Sequence, residues 1–185
     1  MKKMSNLDQI AADPYSQDMR MDDLTQADIL IDLQRQLLMM PKKNLSFQVS
    51  TGLNGIGEQE NSGKTPRGWH RIAQKIGDDM PSHAVFKARQ WTGEIYNAQL
   101  AAEYPGRDWI LTRILWLDGL EAGFNQGEGC DTFSRYIYIH GTPESEPLGI
   151  AQSHGCVRMH SADLLQLYAL VQPGDLVYLS EHVLD

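Results

Sequence analysis

The sequence predicts a mainly β domain that carries one or two helices. Several short apolar stretches alternate with polar residues at a period of two, which is the pattern of half-buried strands. Turn residues such as Gly, Pro and Asn separate these stretches, and a single segment near the carboxyl terminus has convincing helical spacing. The 185 residues are 42% hydrophobic and 22% charged, which suits one soluble domain with a complete core.

The chain begins with a polar extension over residues 1–26, predicted as a short helix or a loosely held segment. Three antiparallel strands are then expected, the second over Leu37–Met40 and the third after a turn at Pro41–Asn44. The alternating apolar residues are Ile29, Ile31 and Leu33 in the first strand and Leu45, Phe47 and Val49 in the third. A single helix over residues 22–40 is the alternative, because several leucines of this stretch also have helical spacing.

The middle of the chain combines a long loop with further strands. Thr51–Gly68 is rich in Gly, Asn, Ser and Pro, and its length is typical of a functional loop. Trp69–Ile76 and Ala84–Trp91 are each expected to form one strand, whereas Thr92–Asp108 is expected to be irregular. Trp109–Leu117 is apolar almost throughout, which predicts a central strand buried on both faces.

The last third of the chain contains the predicted helix. Arg135–His140 alternates as a strand, and His140 is expected where that strand ends. The helix begins at Ser161, which is expected to be its N-cap, and it stops before Pro173. Its apolar side consists of Leu164, Leu165, Tyr168, Leu170 and Val171. Leu176–Leu179 is predicted to be the final strand.

The charge and the amino-terminal residues limit the partners and the location. The formal net charge of −8 provides no field that would attract nucleic acid, so we expect no nucleic-acid partner. Lys2 and Lys3 resemble the start of a secretory signal, but aspartates interrupt the stretch that follows and no apolar run appears. We therefore expect a cytoplasmic protein without membrane insertion, or a periplasmic one if a leader has been removed.

Chemistry-bearing residues concentrate between positions 140 and 160, which hold three of the six histidines and one of the two cysteines. A thiol attacks an amide as its thiolate, and a neighbouring imidazole can take its proton. Gly155 lacks a Cβ, so the backbone can turn tightly and direct N–H groups at a developing oxyanion. This pattern predicts a cysteine enzyme that works through a thioester, with Cys156 as the nucleophile and His140 as its base.

A metal site is the alternative interpretation of the same cluster. His140, His154, Cys156 and His160 are all possible zinc ligands. Their spacing lacks the paired C-x-x-C or H-E-x-x-H form that is typical of such sites. The metal site is therefore the weaker of the two interpretations.

The cluster resembles the signature of a known family. His140–Thr142 followed by Ser153–Arg158 is similar to the signature of the L,D-transpeptidase catalytic domain of the YkuD type. Ser50–Gly52 and Gly63–Gly68 resemble the early loop of that domain. The resemblance implies a catalytic domain over residues 27–180, with 181–185 as a tail. It also implies a β-sandwich or barrel-like fold with a mixed sheet, and it implies no metal and no organic cofactor.

Carried over to this sequence, the resemblance implies roles for five residues of the catalytic centre. Cys156 is the nucleophile and His140 is the base, oriented through its other ring nitrogen by the backbone carbonyl of Gly141. His154 and Gly155 shape the oxyanion site and the loop that carries the nucleophile.

Further residues are candidates for the substrate-binding surface. The resemblance implies that Arg158 supports the pocket or binds a substrate carboxylate, and that Ser153 fixes the loop by hydrogen bonding. Tyr138 shares a face with His140 on the predicted strand, so it either contacts the substrate or packs as a buried aromatic residue. Cys130 either lines the rim of the site or is a free structural thiol.

The resemblance also implies a reaction on murein tetrapeptides, which are free or linked to a sugar or nucleotide. The enzyme would attack the third stem residue, expel the terminal D-Ala and pass the acyl group to water or to an amine. We expect a cytosolic L,D-carboxypeptidase of cell-wall recycling. The alternatives are a periplasmic L,D-transpeptidase that forms 3→3 cross-links and a silent murein-peptide binding module. Carbapenem β-lactams are expected to acylate the cysteine, and the oligomeric state is left open.

Overall fold

A computed structural model describes residues 19–20 and 25–184 of the chain. The strands are β1 (Met19–Arg20), β2 (Ile29–Asp32), β3 (Leu37–Met40), β4 (Leu45–Gln48), β5 (Gly68–Ile76), β6 (Ala84–Lys87), β7 (Gln90–Ile95), β8 (Ile110–Gly119), β9 (Tyr138–Thr142), β10 (Val157–His160), β11 (Leu176–Ser180) and β12 (Val183–Leu184). The helices are α1 (Ala98–Glu103) and α2 (Ser161–Leu170), with a short 3₁₀ turn at Pro41–Lys43. Neither α-helix of this described part is long and apolar enough to cross a membrane.

Ten of the strands form one mixed sheet that nearly closes into a barrel. Its order is β10-β9-β8-β5-β11-β2-β3-β4, and the β6–β7 hairpin pairs with β8. The β9–β10 and β2–β11 pairs are parallel, and the others in this sheet are antiparallel. Ser50, just beyond β4, exchanges two backbone hydrogen bonds of 3.0 and 2.8 Å with Arg158 on β10. The predicted mainly β, barrel-like fold with a mixed sheet and two helices is confirmed.

The main core lies inside the curved sheet and under α2, which packs on β8, β9 and β10. Ile139 and Val157 belong to this core from adjacent strands, as do Leu164 and Leu167 from the helix. A separate cluster on the outer face of the sheet contains Trp116, Tyr138 and Phe86. Residues next to one another along a strand therefore face different clusters, and the strands near the site are covered on both sides.

The three amino-terminal strands are confirmed, and the alternative of one helix over residues 22–40 is wrong. β2 pairs antiparallel with β3, and β3 with β4. Asn44 ends the intervening turn in a left-handed conformation, with φ 53°. The predicted extension over residues 1–26 falls outside the described residues except for 19–20 and 25–26. Within it, β1 pairs in parallel with β12.

The segment between positions 84 and 108 differs from the prediction. The single strand expected over Ala84–Trp91 is a hairpin of β6 and β7, because Ala88 and Arg89 adopt φ values of 47° and 67° and reverse the chain. The segment Thr92–Asp108, expected to be irregular, contains the end of β7 and α1. Asn97 caps that helix by accepting a 2.9 Å hydrogen bond from the amide of Leu100.

Two details near the predicted site are also corrected. β9 extends beyond His140, which lies in the middle of this strand and not at its end. The N-cap of α2 is His160, and Ser161 is the first helical residue; its hydroxyl bonds to Thr112 at 2.7 Å. On the helix, Leu167 is buried and Leu170 is 37% exposed. The strands predicted near β5, β8 and β11 are confirmed.

Candidate active site

The pairing of β9 with β10 brings the predicted nucleophile and base to one face of the sheet. His140 lies opposite Arg158, and the next pair along the strands, Ile139 and Val157, points into the core. His140 therefore lies on the outer face, where Cys156 packs against the cluster that contains Tyr138. Cys156 lies two positions before Arg158, the partner of His140, so the two residues are offset by one same-face step of roughly 7 Å along neighbouring chain segments.

His140 is a neutral imidazole with one nitrogen committed to the backbone. Its side chain is buried, and Nδ1–H donates to the carbonyl of Gly141 at 2.8 Å. Burial lowers the pKa of His140 to about 4. At neutral pH, Nε2 therefore carries a lone pair that can accept a proton.

Gly141 is required by the close approach of β8 and β9. A Cβ at this position would lie 2.4 Å from the carbonyl oxygen of Leu111. No side chain fits at this separation without moving one strand. The glycine that follows His140 therefore fixes the backbone carbonyl that orients the imidazole.

The Cys156 thiol sits in a hydrogen-bonded niche formed by two tyrosine backbones. Sγ accepts from the amide N–H of Tyr138 and donates to the carbonyl of Tyr136, both at 3.4 Å. Tyr136 adopts a left-handed φ of 57° at this point. Burial raises the pKa of Cys156 to about 11, against the opposing effect of the Tyr138 hydrogen bond. The resting pair is thus a thiol and a neutral imidazole, so proton transfer has to accompany nucleophilic attack.

The loop before the cysteine is held in shape by Ser153. Its hydroxyl donates to the carbonyl of Cys156 at 2.5 Å and accepts from the amide of Gly155 at 3.1 Å. Gly155 has φ 122°, and a Cβ there would lie 3.1 Å from the carbonyl oxygen of Lys64. The Gly155 amide already has an acceptor, whereas the amide of Cys156 has none among the described residues and is available to a ligand.

The long loop Thr51–Gly68 braces the loop that carries the nucleophile. Ser153 exchanges backbone hydrogen bonds of 2.8 Å with Thr51 and Leu53, and the Thr65 hydroxyl donates to the carbonyl of Gly155 at 2.8 Å. The loop predicted to be functional therefore contacts the catalytic segment directly.

Arg135 secures the other side of the same long loop. Its guanidinium donates to the carbonyls of Glu58 and Lys64 at 2.8 and 2.6 Å. Burial lowers the pKa of Arg135. The sequence analysis did not single out this residue, because its partners are more than 70 positions away in the chain.

Asp108 is a functional candidate that the sequence analysis missed. One oxygen accepts from Arg158 at 2.7 Å, and the other lies 3.0 Å from Nδ1 of His154. Burial alone would raise the pKa of this carboxyl, but the His154 hydrogen bond and the Arg158 charge outweigh it and the pKa is lowered. Arg158, only 8% exposed, is thus paired with a carboxylate of the protein itself. Its two expected roles, supporting the pocket and binding a substrate carboxylate, remain predictions.

Two cavities lie on either side of the His154 side chain, which is 80% exposed. One, of about 300 Å³, is lined by Asp108 and Arg158 among others. The other, of about 210 Å³, is lined by Arg135 and Tyr136.

The four residues of the zinc alternative do not converge. His160 is bound to Glu144 and to the carbonyl of Glu146, at 3.1 and 3.0 Å. Nδ1 of His140 is committed to Gly141. Within residues 19–20 and 25–184, no three His, Cys, Asp or Glu side chains are grouped as metal ligands.

The remaining two candidates have local partners. Cys130 donates to the carbonyls of Gln126 and Gly127, at 3.7 and 3.6 Å, within its own turn. Tyr138 is buried, and its hydroxyl accepts from Arg89 at 3.1 Å. A contact between Tyr138 and the substrate remains a prediction.

A thiol and a neutral imidazole on one face of a β barrel define a cysteine-dependent acyltransferase or peptidase. The particular family follows from the sequence. The model of the L,D-transpeptidase catalytic domain, YkuD, matches residues 26–179, and the chain belongs to this family. No curated protein matches the sequence.

The fold is similar to that of solved L,D-transpeptidases at low identity. The enzyme from Xylanimonas cellulosilytica is 19% identical, with a TM-score of 0.45 over 82% of this chain and 58% of that one. L,D-transpeptidase 3 from Mycobacterium tuberculosis, in complex with a faropenem-derived adduct, is 15% identical, with a TM-score of 0.48 over 83% and 59%. A Cys-to-Ser mutant of the Enterococcus faecium enzyme is 15% identical, with a TM-score of 0.47 over 88% and 50%. The chain therefore spans only 50–59% of these proteins.

Proposed function

We propose that the protein is a murein L,D-carboxypeptidase that removes the terminal D-Ala from tetrapeptide stems through a thioester. The observation that carries the proposal is the Cys156 thiol on the same face as a neutral His140 whose Nδ1 is tied to Gly141. This arrangement leaves Nε2 free to take the thiol proton at the moment of attack.

The proposed reaction has two halves that use the same pair of side chains. Sγ attacks the carbonyl carbon of the third stem residue while His140 takes the thiol proton, and the Cys156 amide donates to the oxyanion. His140 then gives the proton to the departing amine of D-Ala, which leaves a thioester. Water attacks the thioester with His140 as base. The products are the tripeptide and the regenerated thiol.

Water as the acceptor is the finer part of the proposal. The alternative is transfer to an amine, which would form a cross-link. We further propose that the enzyme works in the cytoplasm on recycled peptides, which fractionation of cells that produce the protein would test.

The test is product analysis of a purified tetrapeptide by mass spectrometry, with and without a second peptide as amine acceptor. Loss of D-Ala without dimer supports the carboxypeptidase, and dimers that depend on the acceptor would replace it with a transpeptidase. Cys156→Ala should abolish turnover, whereas the matched change Cys130→Ala should leave it intact. Peptide binding without turnover by the unchanged protein would mean a binding module.

The same thiol should open a strained cyclic amide. We propose that a carbapenem acylates Cys156, because a β-lactam carbonyl presents the electrophile that the proposed reaction uses. Intact-protein mass spectrometry should show one added drug mass, which is absent from Cys156→Ala and present in Cys130→Ala. An adduct carried by Cys130 would contradict the assignment.

A further inference from the structure

Arg89 stands at the tip of the β6–β7 hairpin and reaches across the outer face of the sheet toward the thiol niche. Its guanidinium carbon lies 4.8 Å from the ring centroid of Trp116 and 4.7 Å from that of Tyr136. Nη1 donates to the hydroxyl of Tyr138 at 3.1 Å. The hairpin turn, with left-handed Ala88 and Arg89, is what delivers this side chain from a distant strand.

The groups that hold Arg89 also surround the nucleophile. Tyr136 and Tyr138 supply the carbonyl and the amide that bond to Sγ of Cys156. Trp116 and Tyr138 belong to the cluster against which Cys156 packs. The guanidinium and the sulfur therefore contact the same two tyrosines, the guanidinium at their side chains and the sulfur at their backbone.

The other two arginines near the thiol have protein partners, although the buried Nε of Arg158 has none among the described residues. Arg158 is paired with Asp108 at 2.7 Å, and Arg135 donates to loop carbonyls. Among residues 19–20 and 25–184, no carboxylate lies within ion-pair distance of Arg89, and the only hydrogen bond of its five donors goes to Tyr138. The guanidinium of this partly buried arginine has unused donors, which suits it to a planar carboxylate.

We propose that Arg89 is a specificity-determining residue that binds a carboxylate of the acyl-donor peptide while its scissile carbonyl lies at Cys156. This inference rests on the proposed function and identifies the group that selects the donor. A murein tetrapeptide presents two carboxylates on the two residues that the scissile bond joins: that of the terminal D-Ala and that on the side chain of the diamino acid. Both would meet the same guanidinium chemistry, and the substrates below distinguish them.

The stacking of Arg89 on two rings could also serve only to hold the hairpin on the sheet. That role predicts an equal loss of rate on every peptide when Arg89 is changed. Carboxylate binding predicts instead a loss that depends on which carboxylate the peptide carries. The measurement that separates the two roles is therefore the preference between substrates, and a thermal melt of each variant reports on the hairpin.

The experiment compares kcat/KM for three tetrapeptides: the natural acid, its C-terminal amide, and the analogue with lysine at the third position, which keeps the amine and lacks the side-chain carboxylate. The unchanged enzyme should lose roughly 10- to 100-fold on the one analogue that lacks the bound carboxylate. Arg89→Met should lose a similar factor on the natural acid and show no further loss on that analogue. Arg89→Lys should recover part of the preference. Lys87→Met removes an exposed charge from the same hairpin and should keep the full preference.

Two results would overturn the inference, and they differ in whether the proposed function also fails. If the unchanged enzyme releases D-Ala and Arg89→Met keeps the same ratios among the three peptides, Arg89 binds neither of these two carboxylates and the proposed function stands. If the unchanged enzyme releases D-Ala from none of them, the proposed function fails and the role of Arg89 fails with it.

Discussion

Acidification should destabilise the folded protein because two buried histidines must stay neutral in it. His140 is bonded to the carbonyl of Gly141, and His70 lies between the carbonyl of Gly68 and the hydroxyl of Thr132, at 2.9 and 3.0 Å. Burial lowers the pKa of each histidine from 6.5 to about 4. Between these two values the unfolded chain binds more protons than the folded one, so stability falls as the pH falls through this window.

The magnitude follows from the size of the pKa difference. At about pH 5, a histidine that titrates at 6.5 when unfolded and near 4 when folded costs about 2 kcal/mol of stability relative to neutral pH. The two together cost about 4 kcal/mol, which is a large share of the total of about 5–15 kcal/mol that is usual for a domain.

Urea unfolding followed by tryptophan fluorescence measures this loss. The midpoint should fall between about pH 7.5 and about pH 5 while the slope m stays constant. His70→Gln does not change the catalytic pair and should remove about half of the stability that is lost on acidification. This holds whether or not the substitution also changes stability at neutral pH. A stability that is constant or rises over this interval would show that the histidines are not neutral and buried, and would refute the reasoning.

Three further predictions concern the site itself. His140→Ala should lower the rate of D-Ala release by roughly 10² or more, the usual scale for a lost general base, and a nearly unchanged rate would remove it from the mechanism. Asp108→Ala should lower stability by about 1 kcal/mol, since it removes the nearer of the two carboxylates that pair with the buried Arg158, and an unchanged melting temperature would contradict this. Gly141→Ala should cost about 1–3 kcal/mol and reduce activity, because its Cβ would meet the carbonyl of Leu111; unimpaired melting and turnover would count against that steric argument.

The parts of the site that the sequence predicted are those whose residues lie close together in the chain. Ser153, Gly155 and Cys156 lie within four consecutive positions, and their joint chemistry is recognisable without coordinates. His140 is only sixteen positions earlier, on a strand whose alternation sets its face. The sheet was predictable for the same reason, since a period of two marks each strand locally.

The parts that the sequence did not predict depend on distant contacts or on exceptions to local rules. Asp108 and Arg135 are recognisable as part of the site only through hydrogen-bond partners 46 or more positions away. The β6–β7 turn is built from Ala88 and Arg89, neither of which is a usual residue for left-handed backbone, so the hairpin gave no turn signal. Helix α1 has no buried residue and hence no apolar period, and its Asn97 cap was its main local mark.

The double hydrogen bond between Ser50 and Arg158 gives the strand of the nucleophile a neighbour on each side, since β9 flanks it on the other. If strands β2–β4 detach, β10 therefore loses its neighbour on one side, and Ser153 loses its backbone hydrogen bonds to Thr51 and Leu53. We therefore expect cooperative hydrogen exchange at these amides, with strands β2–β4 and the catalytic loop unfolding together. A single proteolytic cut between positions 51 and 68 would then abolish activity while leaving Cys156 and His140 unchanged.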